Sequence, residues 1–299
     1  ATLDIDMVAG LAPASNIIVY QTDTSTAQSD SDFWTLINNE LQQIIDDNAH
    51  NTSSGSIVSI SLGEAEAGFT QDVVTALNQS FQTLKQSEHM TVFVSSGDCA
   101  AFMDHQYGSL SVSYPATDPN VVAVGGTILQ PDQNGNRQAE VAWSDGSNKS
   151  KCTNQWGTGG GLSQLFKQPS WQTGVGVKNQ YSNGTRQLPD VSAIAYDVAT
   201  YFQGQWQAVG GTSAAAPIWA AGLALVNQGL IQTLKEFGYG PGLFYLIANK
   251  SAQYHPYFDV RQGNNLYYNT TAGWDYPTGL GAPNLVDFYR ALLKIATSK

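Results

Sequence analysis

QAVGGTSAAAPIWAA, residues 207–221, sets one serine between a glycine-rich turn and an apolar run. A sharp turn into a helix exposes a serine hydroxyl beside first-turn N–H groups that have no intrahelical acceptor. Gly210 and Gly211 allow a substrate backbone to come close, and Ala214 to Ala216 do not crowd it. Pro217 lacks an N–H, which predicts a place in the first helical turn, fixing the helix start. Two readings stay open on these residues: an N-capped core helix, or a helix that presents Ser213 as a nucleophile.

Upstream, short apolar runs alternate with amphipathic stretches. NIIVYQT (16–22), SIVSISL (56–62), MTVFVSSGD (90–98) and NVVAVGGT (120–127) read as buried strands. DFWTLINNELQQIIDDNA (32–49) and TQDVVTALNQSFQTLKQ (70–86) carry apolar residues at helical intervals, and SAAAPIWAAGLALVNQGL (213–230) is apolar nearly all round. Strands alternating with helices of this length predict parallel βαβ units and a sheet covered on both faces, an α/β fold in three αβα layers. From 130 to 207 the pattern loosens into turn-rich sequence, and residues 255–283 are predicted to form an ordered, non-helical loop. No repeat or flexible linker interrupts the chain, which predicts one domain over 1–299.

Composition narrows the partners. Thirteen Lys and Arg stand against 24 Asp and Glu, a net charge of −11 that argues against nucleic acid or an anionic membrane. No apolar run reaches the length of a membrane span, and the first residues lack the charged start of a signal peptide, as expected of a mature, processed chain. Cys99 and Cys152 allow one disulfide in an oxidising compartment and have no zinc-site spacing. Six Asn-x-Ser/Thr sequons, at Asn51, Asn78, Asn148, Asn183, Asn249 and Asn269, matter only where the source glycosylates.

GTSAAAP at 211–217 resembles the Gly-Thr-Ser-x-x-x-Pro signature around the nucleophile of subtilisin-like peptidases. That resemblance calls for a histidine base in a His-Gly-Thr setting, and none of His50, His89, His105 and His255 has one. A neutral-pH enzyme using His50 is the reading this leaves least supported. The start, LDIDMVAGLAPASNIIVY, is similar instead to a segment of the sedolisin family, the serine-carboxyl peptidases, in which a glutamate and an aspartate four residues apart replace the histidine. Spacing of i and i+4 puts both carboxyls on one helix face.

The resemblance implies a subtilisin-like fold with a mostly parallel sheet and an acid-active endopeptidase working through an acyl-enzyme on Ser213. It assigns Asp4 as the base's partner and Asp98, at the end of VFVSSGD, as the oxyanion donor, useful only while protonated. The glutamate falls immediately before Ala1, with the family's first strands upstream of it. A protein or peptide substrate and the chain's own N-terminal fragment or propeptide are therefore the implied partners, in a secreted or otherwise acidic setting. The alternative is a catalytically inactive relative that binds peptide and calcium. Asp6 faces away from Asp4 on a helix and is a poor substitute base.

SISLGE resembles the family's Ser-Trp-Gly cleft strand, which makes Ser61, Leu62 and Gly63 substrate-binding, with Leu62 in place of the usual tryptophan. GTGGGLS adds Gly159, Gly160 and Gly161, and RQLPDVSA matches a structural segment. In the C-terminal loop the family's calcium ligands map to Asp259, Val260, Thr271, Gly273 and Asp275, a mix of carboxylate and carbonyl oxygens that suits Ca2+ in a structural role.

Overall fold

The computed structural model describes residues 1–50, 56–104, 109–145, 156–230 and 240–297. In chain order it runs α1 (Thr2–Leu11), α2 (Asp30–Ala49), β1 (Ile57–Ile60), β2 (Glu64–Ala65), α3 (Gln71–Gln86) and β3 (Thr91–Ser95). Next come β4 (Ser113–Tyr114), β5 (Val122–Pro131), β6 (Arg137–Ala142), β7 (Gly161–Lys167), β8 (Thr185–Leu188) and β9 (Val191–Ile194). The hairpin β10 (Val198–Phe202) and β11 (Gln205–Val209) leads into α4 (Thr212–Leu230). After it lie α5 (Pro241–Lys250), β12 (Tyr257–Phe258), β13 (Ala282–Pro283) and α6 (Leu285–Thr297).

The period-2 alternation of strand side chains sets the layering. Phe93, Val122, Val124, Val191 and Ala193 pack against α4, α5 and α6, while Val92, Val94, Val121 and Ala123 pack against α2 and α3. Each central strand thus feeds two cores, which makes three αβα layers. β1, β3, β5 and β9 pair in parallel, and β6 adds an antiparallel partner to β5. The parallel strands send β1 and β3 toward one end of the sheet, where Ser61 to Gly63 and Ser96 to Asp98 continue them. α2 starts at Ser29, whose side chain accepts from Asp32 N at 3.2 Å, and buries Trp34, Ile37 and Leu41. Among the described residues no helix is long and apolar enough to cross a membrane.

Two expectations need correcting. NIIVYQT forms no strand: Ile17, Ile18 and Val19 are exposed, Ile18 by 52%. A strand requires a neighbouring backbone to exchange hydrogen bonds with, and no described strand pairs with this run. The turn-rich stretch from 130 to 207 holds most of β6 to β11. Its strands hide their alternation because polar side chains are buried among them, including Arg186, Gln187 and Ser192. Cys99 is disulfide-bonded; Cys152, like Asn51, His105 and Asn148, lies outside the described residues.

Arg186 and Asp190 pin β8, β9 and β5 together. The guanidinium gives Asp190 two bonds of 2.8 and 2.6 Å, both side chains are fully buried, and Asp190 Oδ2 also accepts from Ala123 N at 2.8 Å. Tyr245 Oη donates to the same carboxylate at 3.0 Å. Removing one partner leaves a buried charge uncompensated. Asp190→Asn is expected to cost about 3–5 kcal/mol, read as a lower denaturant midpoint at unchanged slope.

Candidate active site

α4 begins at Thr212, so Ser213 sits in its first turn on the heels of the β10–β11 hairpin. Gly211, at φ +126°, makes the turn that a residue with a Cβ resists, and a side chain there would run into the Asp98 carboxylate. Thr212 holds that carboxylate twice: its N–H donates to Asp98 Oδ1 at 2.7 Å and its hydroxyl lies 2.8 Å from the same oxygen. With Oδ1 occupied by two donors, a proton on Asp98 belongs on Oδ2. Burial pushes the Asp98 pKa up, against the opposing pull of the two Thr212 bonds. Ala214 N–H goes to the Gly211 carbonyl at 3.0 Å. The Ser213 N–H lies between these two, in the turn whose donors have no intrahelical acceptor.

Pro217 stands in the second turn of α4, not the first as its sequence position suggests. Its missing N–H removes the donor that a helix would bring to the Ser213 carbonyl four residues earlier. Ser61 replaces it, with Oγ 3.0 Å from Ser213 O. The same hydroxyl reaches Asp4 Oδ1 on α1, so Ser61 links the Ser213 carbonyl to the Asp4 carboxyl. One hydroxyl proton serves one acceptor at a time, so Ser61 Oγ shares its donor between the Ser213 carbonyl and Asp4. α1 packs on α4 and β10, and Asp6 is committed elsewhere, accepting from Tyr201 N at 2.8 Å.

Ser213, Asp98, Ser61, Leu62 and Gly63 line one cleft of about 680 Å³. Leu62 and Gly63 are its exposed rim. Gly159 and Gly160 are not brought to it: Gly159 N donates to Gly97 O at 2.8 Å, Ser96 Oγ donates to Gly159 O at 2.7 Å, and Gly160 O is taken by Asn265. Gly161 borders a second, smaller hollow with Leu110 and Tyr268. No described histidine lines the cleft. His50 ends α2, its ring Nδ1 2.7 Å from Asp46 O.

The C-terminal loop is closed by pairing of β12 with β13, and backbone N–H groups of one of its turns reach both Asp259 and Asp275. Gly273 N donates to Asp259 Oδ2 at 3.2 Å, and Thr271 N to Asp275 Oδ2 at 2.8 Å. Asp275 is buried, and desolvation, with Asp259 nearby, pushes its pKa up to about 7 despite bonds from Thr271 and Thr278. Asp259 Oδ2 also accepts from Arg261 Nε at 2.7 Å, so one of the two carboxylates already has a cationic partner.

With this geometry in place, the comparisons are specific. A family model described as the Subtilase family matches residues 2–236. Kumamolisin of Bacillus sp. (strain MN-32) is 33% identical over 99% of this chain and 51% of that protein. Sedolisin of Pseudomonas sp. (strain 101) is 32% identical over 94% of this chain and 46% of its own length. A solved Pseudomonas sedolisin, a serine-carboxyl proteinase complexed with two molecules of pseudo-iodotyrostatin, superposes with a TM-score of 0.85 at 30% identity, over 99% of this chain and 78% of that one. The chain belongs to the subtilase family, in its sedolisin branch. It spans about half the length of the curated relatives it matches. This sedolisin-type core has the subtilisin-like α/β fold expected from its motifs. Sequence reasoning missed the Ser61 bridge and the double hold of Thr212 on Asp98; the proline four residues after Ser213 is the one signal that foretold the first.

Several carboxyls in this core are buried, and desolvation outweighs their hydrogen bonds and, at Glu140 and Asp118, the pull of Arg137 and Lys85. Burial raises the pKa of Asp98, Glu66 and Glu140, and pushes Asp118 up to about 6. A carboxyl whose folded pKa exceeds its unfolded value binds its proton more tightly in the folded chain. Its contribution is full below the unfolded value and is lost as pH rises through the folded one. The chain is therefore expected to be more stable to denaturant near pH 4 than near pH 7. Asp118→Asn should remove about 2–3 kcal/mol of that fall.

Proposed function

We propose that this chain forms the catalytic core of an acid-active serine-carboxyl endopeptidase. The observation that carries the reading is that Ser213, at the start of α4, and Asp98, with one carboxyl oxygen left over by Thr212, share one cleft, whose Ser61 ties Ser213 to Asp4 on α1. Ser213 Oγ attacks the peptide carbonyl carbon while its proton passes to a carboxylate base. The oxygen that becomes negative takes hydrogen bonds from protonated Asp98 and the Ser213 N–H. Collapse breaks the C–N bond, the proton leaves with the amine, and water then releases the acyl group by the same steps in reverse.

The base in this reading is a glutamate four residues before Asp4, the position that precedes Ala1, and Asp4 orients it. Proteins or peptides are the substrates, with the chain's own upstream fragment or propeptide as a further partner. A secreted or acidic compartment suits both the net charge of −11 and a protonated Asp98. In the protein with its upstream segment, Ser213→Ala should abolish hydrolysis of an unfolded protein near pH 4, and surviving activity would overturn the nucleophile. Thr212→Val removes a bond that favours ionised Asp98, so the alkaline limb of the pH–rate profile should move to higher pH.

Calcium belongs to the same proposal. Asp259 and Asp275, with the carbonyls of Val260, Thr271 and Gly273, would hold it and brace the loop; it takes no part in the chemistry. Chelation should lower the thermal midpoint by several degrees, and Asp259→Asn should make the midpoint insensitive to added calcium.

A further inference from the structure

The run GTGGG (157–161) does not line the cleft, yet it runs beside the turn that carries Asp98. β3 and its ladders end at Ser95, so the residues that follow need other partners for their backbone. The run supplies them. Gly157 N donates to Asp98 O at 2.8 Å, Gly159 N to Gly97 O at 2.8 Å, and Ala100 N to Gly157 O at 2.9 Å. Ser96 Oγ adds a bond of 2.7 Å to Gly159 O. A Cβ at 159 would stand 2.1 Å from Ser96 O, so glycine is what lets the two backbones come this close.

The other side of the run rests on Thr158. Its side chain is fully buried, and both roles of its hydroxyl are filled. Thr158 Oγ1 accepts from Gly126 N on β5 at 2.8 Å and donates at 2.9 Å to the carbonyl of Pro277, inside the turn that Asp275 and Gly279 close in the C-terminal loop. From the same loop Asn265 Nδ2 holds Gly160 O at 3.1 Å. Asp98 is therefore gripped twice, its carboxyl by Thr212 and its carbonyl by a strap anchored on the C-terminal loop.

We propose that Thr158 is a positioning residue for peptide hydrolysis: its hydroxyl fixes the strap 157–160 between the C-terminal loop and the Asp98 turn, and so sets where the Asp98 carboxyl stands relative to Ser213. The proposal rests on the peptidase reading. Valine at 158 keeps the shape of the side chain but leaves Gly126 N and Pro277 O, both on buried residues, without their partner. Such groups are costly to leave unpaired, so the strap shifts to find others and carries the Asp98 main chain with it. A displacement of about 1 Å caused far from the chemistry costs up to about a hundredfold in rate.

The test compares the unmutated protein with Thr158→Val and Thr158→Ser, each with its upstream segment, in hydrolysis of an unfolded protein near pH 4. Thr158→Val is expected to lower kcat about tenfold to a hundredfold at unchanged KM, and Thr158→Ser, which keeps the hydroxyl, to restore it. Two inhibitors locate the defect. Acetyl-Ala-Ala-phenylalaninal can add the Ser213 hydroxyl across its C=O, which puts its oxygen beside Asp98; the matching alcohol, acetyl-Ala-Ala-phenylalaninol, cannot. The aldehyde should bind Thr158→Val more weakly by the factor lost from kcat, and the alcohol should bind as before. An unchanged kcat, a loss that Thr158→Ser shares, or an equal loss of affinity for aldehyde and alcohol overturns the proposal. Should Thr158→Val fail to fold, Ser96→Ala takes its place by freeing Gly159 O on the other side of the strap. It should lower kcat severalfold at unchanged KM, and an unchanged kcat there is equally fatal. Hydrolysis by the unmutated protein is scored first. Its absence refutes the peptidase reading and the proposal with it, whereas hydrolysis with kcat unchanged in the variants refutes only the role of Thr158.

Discussion

Everything at the candidate site hangs on the grip of Thr212 on Asp98. That pair of bonds joins the end of a central strand to the first turn of the long apolar helix, two elements far apart in sequence. It fixes where Ser213 stands relative to the carboxyl, and it decides which carboxyl oxygen can hold a proton. Gly97 N–H lies 3.1 Å from the Thr212 hydroxyl and so anchors that hydroxyl to the strand end as well. A hydrogen bond in a poorly solvated place is stronger than its surface equivalent.

The parallel sheet explains why such a meeting occurs at all. Strands that all run one way bring their ends to one edge, and the helices that cover them start or finish there. Ser61 to Gly63 and Ser96 to Asp98 follow adjacent parallel strands, so the cleft rim and the oxyanion candidate are neighbours by topology. The buried Arg186–Asp190 pair and the cis peptide before Pro189 belong to the far side of the same frame, at the entry to β9.

Much of this was readable in the residues. The helices α2, α3 and α4 follow from apolar spacing, and β1, β3 and β5 from short apolar runs, because each has one dominant buried face or none exposed. Ser213, Asp4 and Asp98 were singled out by motif resemblance, and the structure ties Ser213 to Asp4 through Ser61 and holds Asp98 on Thr212. The exposed run at 16–22 was misread because composition reports what a segment would bury, and pairing depends on what lies beside it. The strands between 137 and 209 were missed because their buried faces include arginine, glutamine and serine, whose partners lie elsewhere in the chain. Gly159 and Gly160, singled out by resemblance as substrate-binding, stand where backbones approach too closely for a Cβ, which a glycine run signals equally well.

Pro217 ties the fate of two distant positions. By withholding an N–H from the Ser213 carbonyl, it makes that carbonyl depend on a hydroxyl supplied from β1's extension. Substitutions at 61 and 217 should then be read as a coupled pair: a residue without a donor at 61 is harmful while proline stands at 217, and becomes tolerable once a residue with an N–H takes its place. The constraint is one of sequence compatibility, written into the chain by a single missing hydrogen.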